Sequence, residues 1–501
     1  MEAMISRPCE LGALPEELLL AILDYIDADD LSTFRALNGT SRLLRRLTTD
    51  RLYRSYPGLH PEQLLRTIVL SPPTERPELA NDVKEVSWHQ GHWTKPARRR
   101  GLALGDRHLI ANRLRSSGCI LNTTDLSMDL PSRFIGFSSE YEAHWWYLEF
   151  FLFFTPRVEK LLVWDVWQWD DHSYWFESLS ANPAHFAHLS SITLYGPLRL
   201  ENIVPLLTLP SIRNLELTQV INMRREPGRD FAWTEGRDDY ISGRLATGCS
   251  LEVLSMRESD IFFPQTMAIL ENLNKIKSLT YEHVPNELTS DSGQLGGFLN
   301  INELQRFPES SLSHLRIRSE TFLADGEVSS LWSPRVHLPD KHPFRNLRTL
   351  DIGPCNVASF TNTSFIFSDD QDKDHRELVD QFPATLETLQ IKWAYGHDVD
   401  TRFRLFLAFL RSIAEAIASS SSSLKRIAIV EWPALAGWVP LQDEVTRLKE
   451  TYGGLGIEFD VVYGEIDGQE PLETRGDVES GWLWVDRTES FDRHAAIPER
   501  Y

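Results

Sequence analysis

Two imidazoles stand close together in the stretch HQGH, His89 to His92, flanked by Trp88 and Trp93. Two such ligands do not make a zinc site, which takes at least three protein donors around the metal. The stretch reads instead as a polar loop after a strand. Asp370, Asp372 and Asp374 imitate the start of a calcium loop. However, the sixth position is His375 where glycine makes the turn, and the twelfth is Gln381 where a bidentate glutamate closes the cage. The simpler reading is a solvated acidic insertion, so no metal is expected. There is no GxSxG, HExxH, GxGxxG or P-loop sequence. With none of these motifs the chain reads as a binding protein rather than an enzyme, and no cofactor is expected.

Binding chemistry has more candidates. Arg316 and Arg318 stand two apart in HLRIRS. On a strand that spacing puts both on one face, where they could clamp a carboxylate or phosphate. Arg257 and Lys392 occupy similar settings. The stretch WDVWQWDDHSYW holds Trp164, Trp167, Trp169 and Trp175 beside Asp165, Asp170 and Asp171. Trp167 and Trp169 are either buried by neighbouring loops or exposed as a binding anchor; interface hot spots are enriched in Trp and Arg.

The charge balance narrows the partner. Over 501 residues the formal net charge is −21, which disfavours nucleic acid and acidic membranes. The basic clusters Arg98–Arg100 and Arg42, Arg45, Arg46 read as solvated faces or small acid-binding spots. Cys9, Cys119, Cys249 and Cys355 are far apart, which argues against a disulfide framework and for a reducing compartment. No basic flank followed by an apolar run opens the chain. The most apolar stretch, WWYLEFFLFF from Trp145 to Phe154, is too short to span a bilayer and contains Glu149. It reads as a buried helix, and the expected location is cytoplasm or nucleus.

These residues need elements to position them. From residue 158 onward an apolar-x-x-apolar-x-apolar pattern recurs, the mark of a short strand with alternate residues turned inward. It appears from Val158, Leu189, Ile212, Leu251, Ile276, Leu312, Leu347, Leu386 and Leu424, with middle anchors 23 to 39 residues apart. VKEVSW, from Val83, is a solitary earlier candidate. Helix-like stretches lie between some of them, notably YEAHWWYLEFFLFF and FRLFLAFLRSIAEAIA. The latter carries Phe406, Leu410, Ile413 and Ile417 on one face. Strand, loop and helix therefore repeat, and stacking buries what one unit cannot. The fold class expected is α/β: a repeat solenoid behind a small helical start. Its inter-anchor residues, Glu216, Arg257, Glu282, Arg316, Arg318, Asp351 and Lys392, would share one exposed, concave surface.

The helical start is LPEELLLAILDYID, residues 14 to 27. Leu14, Leu18, Ile22 and Ile26 fall four apart, and Leu19 and Leu23 widen the stripe. Pro15 sits in the first turn with Glu16 and Glu17 behind it, as a helix N-terminus favours. Asp29 or Asp30 can cap a second helix carrying Leu31, Phe34 and Leu37, and Thr40 or Ser41 a third with Leu43, Leu44 and Leu47. So small a core asks for another surface to pack on.

Residues 14 to 47, LPEELLLAILDYIDADDLSTFRALNGTSRLLRRL, resemble an F-box: Leu-Pro, acidic residues, leucines and isoleucines at helical spacing, an Asp-rich turn, and a Ser-Arg-rich third helix. The continuation is similar to that of fungal F-box proteins with irregular leucine-rich-repeat-like domains. The resemblance implies a three-helix F-box over residues 10–56 and a connecting region with a first repeat-like unit over 57–157. A solenoid would follow over 158–464 and an acidic tail over 465–501. It implies a substrate receptor of a Skp/cullin/F-box ubiquitin ligase, docking on a Skp-type adaptor, and through it a cullin, and capturing a protein substrate. Adaptor contacts would fall to Leu14, Pro15, Leu18, Ile22, Ile26, Leu31 and Leu37, whereas Leu19, Leu23 and Leu44 read as internal packing. The alternatives are a repeat scaffold without a role in ubiquitin transfer, its first helices merely capping the solenoid, and an enzyme without a recognisable motif.

Overall fold

The computed structural model describes residues 14–27, 30–56, 65, 79–89, 103–117, 140–164, 175–221, 249–259, 261, 269, 273, 275–283, 311–319, 344–352, 382–392, 399–419, 422–432 and 439–463. Its first elements are three helices, α1 (Glu16–Asp24), α2 (Leu31–Thr40) and α3 (Arg42–Arg54). Asp30 caps α2, accepting from the Thr33 N–H at 3.0 Å. Ser41 caps α3, accepting from the Leu44 N–H at 3.1 Å. Leu19, Leu23, Phe34, Leu44 and Leu47 form a core of their own, with Leu14, Ile26, Leu37, Leu43 and Leu52 half-buried around it. Ion pairs Glu16–Arg46 and Asp24–Arg51, both at 2.5 Å, hold the two ends of α1 to α3.

α3 runs directly into a parallel sheet of twelve strands whose spatial order is the chain order. They are β1 (Ser55–Tyr56), β2 (Glu85–His89), β3 (Lys160–Trp164), β4 (Ser191–Arg199), β5 (Asn214–Ile221), β6 (Val253–Ser259), β7 (Ser278–His283), β8 (His314–Ser319), β9 (Thr349–Ile352), β10 (Thr388–Lys392), β11 (Arg426–Trp432) and β12 (Glu458–Tyr463). All nine expected strands are present. The candidate at Val83 does not stand alone: as β2 it pairs with β1 and β3. β1 and β12 close the two ends.

One register runs through the whole sheet. Tyr56, Val86, Leu161, Ile192, Leu215, Leu254, Leu279, Leu315, Leu350, Leu389, Ile427 and Phe459 are successive partners, and all are buried. Each such apolar side chain contributes about 1.5–3 kcal/mol, and a slip of one residue would expose the whole row. The backbone repeats as faithfully. The Lys84 carbonyl accepts from the N–H groups of Glu159 and Lys160 at 2.7 and 3.0 Å, and the same two-donor bond recurs at Glu159, Ser190, Arg213, Glu252, Lys277, Ser313, Arg348 and Glu387.

Further helices among the described residues cover the inner face: α4 (Leu79–Asp82), α5 (Leu104–Ser117), α6 (Glu140–Phe154), α7 (Trp175–Ala181), α8 (Leu200–Leu207), α9 (Val399–Ser419) and α10 (Val439–Gly454). α6 is the buried helix read from WWYLEFFLFF. Its Phe151 stacks on Tyr56, centroids 4.9 Å apart, and packs against Trp88. α9 buries Phe406, Leu410, Ile413 and Ile417 as its periodicity requires. α10 is locked by Tyr452, which donates to the Leu410 carbonyl at 2.6 Å and stacks on Phe459. Among the described residues no helix is long and apolar enough to cross a membrane.

Candidate functional site

Two surfaces carry the candidate residues. The first is α1. Its buried side is Leu19 and Leu23, as internal packing demands. Its other side keeps Leu18 at 52 %, Ile22 at 41 % and Tyr25 at 93 % exposure, with Pro15 exposed in line with them. Positions 15, 18, 22 and 25 share one helical face, so the chain presents an apolar stripe to solvent. Of the other expected adaptor contacts, Leu14, Ile26 and Leu37 are half-buried against the three-helix core. Leu31 opens α2. Tyr25 belongs to the stripe by position but was not expected, because it follows the last regular turn of the helix.

The second surface is the outer face of the sheet. Because alternate residues point to opposite faces, the residues between the buried anchors form outward rows. One row runs Thr193, Glu216, Ser255, Thr280, Arg316, Asp351, Gln390 in register. Tyr195, Thr218 and Arg257 are partners in a second row, and Arg318 partners Glu282. Lys392 ends β10 opposite Val430. The expected residues thus share a face.

They are not, however, uniformly exposed. Arg318 is 7 % and Asp351 2 % exposed. Arg318 donates from Nε to Asp351 Oδ1 at 3.0 Å and from Nη2 to Oδ2 at 2.9 Å, while Arg316 Nε donates to Oδ2 at 2.7 Å. Glu282 lies 3.6 Å from Arg316. The carboxylate that the arginine pair clamps is therefore the chain's own. Among the described residues two guanidiniums here face two carboxylates. Sequence spacing placed the arginines on one face correctly, but it carries no information about a partner 33 residues downstream.

The other end of the face differs. Trp164 is the last residue of β3, and its ring stacks on Tyr195 of β4 with centroids 4.0 Å apart and planes 5° apart. Both rings are half-buried, while Glu216 and Arg257 on the next two strands are exposed. Arg257 Nε donates to Ser255 Oγ at 3.4 Å. Burial pushes the Tyr195 phenol pKa up. The Glu216 carboxylate pushes the same way and the Arg257 guanidinium opposes it. These groups therefore share one electrostatic neighbourhood. Trp167 and Trp169 lie outside the described residues.

Inside the protein, Glu149 of α6 is buried at 4 % exposure, and desolvation raises its pKa to about 7. The Ser178 hydroxyl on α7 is near enough to offset part of this but makes no hydrogen bond within ordinary limits. His89 ends β2 opposite Trp164, whereas His92 and Asp370, Asp372 and Asp374 lie outside the described residues. Among the described residues no three His, Cys, Asp or Glu side chains gather as a metal site would need. Cys249 is a buried free thiol. No family model matches the chain, and no curated protein matches it.

Proposed function

We propose that the chain is a non-catalytic substrate receptor of a Skp/cullin/F-box ubiquitin ligase. In this reading the first three helices are the F-box, and the twelve-stranded array is a leucine-rich-repeat-like solenoid that captures a protein on its outer face. The observation that carries the reading is the outward stripe of Pro15, Leu18, Ile22 and Tyr25 on a three-helix unit with its own core. An amphipathic helix that exposes leucine and isoleucine in line is suited to a groove on another protein.

The same observation weighs against the scaffold alternative. Helices that merely capped the array would turn their apolar residues onto it. Here the buried residues of α1–α3 form a cluster separate from the core of the sheet.

The test is reconstitution with a purified Skp-type adaptor. The wild-type chain should co-elute with it, and Leu18→Asp with Ile22→Asp should abolish co-elution while the circular dichroism spectrum and melting temperature hold. Retained co-elution in that folded variant would refute the receptor reading.

A further inference from the structure

We propose that the outer face of β4–β6 recognises an extended polypeptide segment carrying one basic and one acidic side chain two residues apart, the base at Glu216 and the acid at Arg257. This rests on the receptor reading for its biological setting and names the class of substrate.

The charges on this face divide into two groups. Those on β7–β9 are engaged among themselves, as Asp351 takes both Arg316 and Arg318. Those on β5 and β6 are not: Glu216 and Arg257 are exposed and have no ion pair among the described residues. On β5 and β6 an incoming ligand therefore meets one carboxylate and one guanidinium without an ion-pair partner among the described residues. That combination repels any uniformly charged polymer at one position or the other, and it complements a segment carrying both signs.

The spacing sets the ligand's register. Glu216 is the register partner of Ser255, and Arg257 lies two residues beyond Ser255 on the same strand. Neighbouring strands are about 4.8 Å apart and two residues span about 6.6 Å, so the two Cα atoms are roughly 8 Å apart. Side chains i and i+2 of an extended segment leave on the same side at about 6.6 Å, a separation that flexible side chains bridge readily.

The supporting groups match this use. Ser255 holds Arg257 by its Nε, which leaves the two terminal nitrogens for a carboxylate fork. On the other side of Glu216, Tyr195 is held upright by its stack on Trp164. An aromatic face beside a carboxylate suits an ammonium or guanidinium group.

The test uses the full-length chain and fluorescein-labelled nine-residue peptides, identical except for a central Lys-Ser-Asp, Lys-Ser-Lys, Asp-Ser-Asp or Lys-Ser-phosphoserine, read by fluorescence anisotropy. Lys-Ser-Asp should bind about five- to tenfold tighter than either uniformly charged peptide. Glu216→Lys should shift the preference to Asp-Ser-Asp, and Arg257→Glu to Lys-Ser-Lys. A misfolded variant loses binding but does not invert a preference. Equal affinity for all peptides, preferences unmoved by either variant, tighter binding of the phosphopeptide, or no binding at millimolar peptide would each overturn the proposal. Adaptor co-elution is measured on the same samples. Loss of the adaptor with the peptide preference intact would sink the receptor reading and leave this one standing.

Discussion

Arg318 of β8 and Asp351 of β9 form a two-pronged, buried ion pair across adjacent strands, with bonds of 3.0 and 2.9 Å. This geometry gives a buried charge both a partner and paired hydrogen bonds, the condition under which it is tolerated. Removing one partner leaves the other stranded. Asp351→Ala should cost about 3–5 kcal/mol in urea denaturation. Glu282→Ala should cost about 1 kcal/mol or less, because that pair is longer and partly solvated. Equal, small losses in both variants would show that the network does not support the fold.

Glu149 makes stability depend on pH in a defined direction. Its pKa is about 7 in the folded chain against an ordinary 4.5. The folded state therefore holds the proton more tightly than the unfolded state. The stabilisation is complete below about pH 4.5 and is lost as pH rises through 7. Glu149→Gln should remove this dependence, so the variant gains on wild type between pH 5 and pH 8 by up to about 3 kcal/mol. The difference between the two denaturation curves isolates Glu149 from His185, whose pKa is depressed by burial. A constant difference across that range would disprove the assignment.

On α1 the two faces should separate cleanly. Leu19→Ala and Leu23→Ala remove side chains from a closed core and should cost about 2–5 kcal/mol each. Leu18→Ala and Ile22→Ala should stay within roughly 0.5 kcal/mol of wild type, as surface changes do, while weakening adaptor binding. Thermal melts of the four variants provide the check, and a comparable loss in all four would place the whole helix in a core.

The caps offer a smaller effect. Ser41→Ala removes the acceptor for the Leu44 N–H and should cost about 1 kcal/mol. Ser41→Asp should recover most of it. Identical stability of the alanine and aspartate variants would mean that α3 is fixed by packing alone.

Much of this architecture is written locally. Leu161, Ile192, Leu215 and their successors announce the sheet because each strand must bury the same two alternate positions. β12 was missed because Ile457, Phe459 and Val461 alternate without the three-residue step that precedes the other anchors. β1 is only two residues long. The bends at Gln219 and Glu258, both at positive φ, leave no trace in composition. Helical spacing merged Leu18, Leu19, Ile22 and Leu23 into one broad apolar stripe; the structure divides it, burying Leu19 and Leu23 and exposing Leu18 and Ile22. What no spacing rule supplies is a cross-strand partner: Asp351 takes Arg318, and Trp164 meets Tyr195, only once register brings distant segments together.

The strictly sequential strand order also bears on how the molecule comes apart. Each strand from β2 to β11 is bonded only to its predecessor and successor, so among the described residues no strand pairing joins the two ends. Such a chain has the character of a stack whose outermost layers leave first. Amide protons of β1 and β12 should trade with deuterium ahead of those in β5 and β6, and an optical trap gripping the termini would record a staircase of small rips in place of one large one.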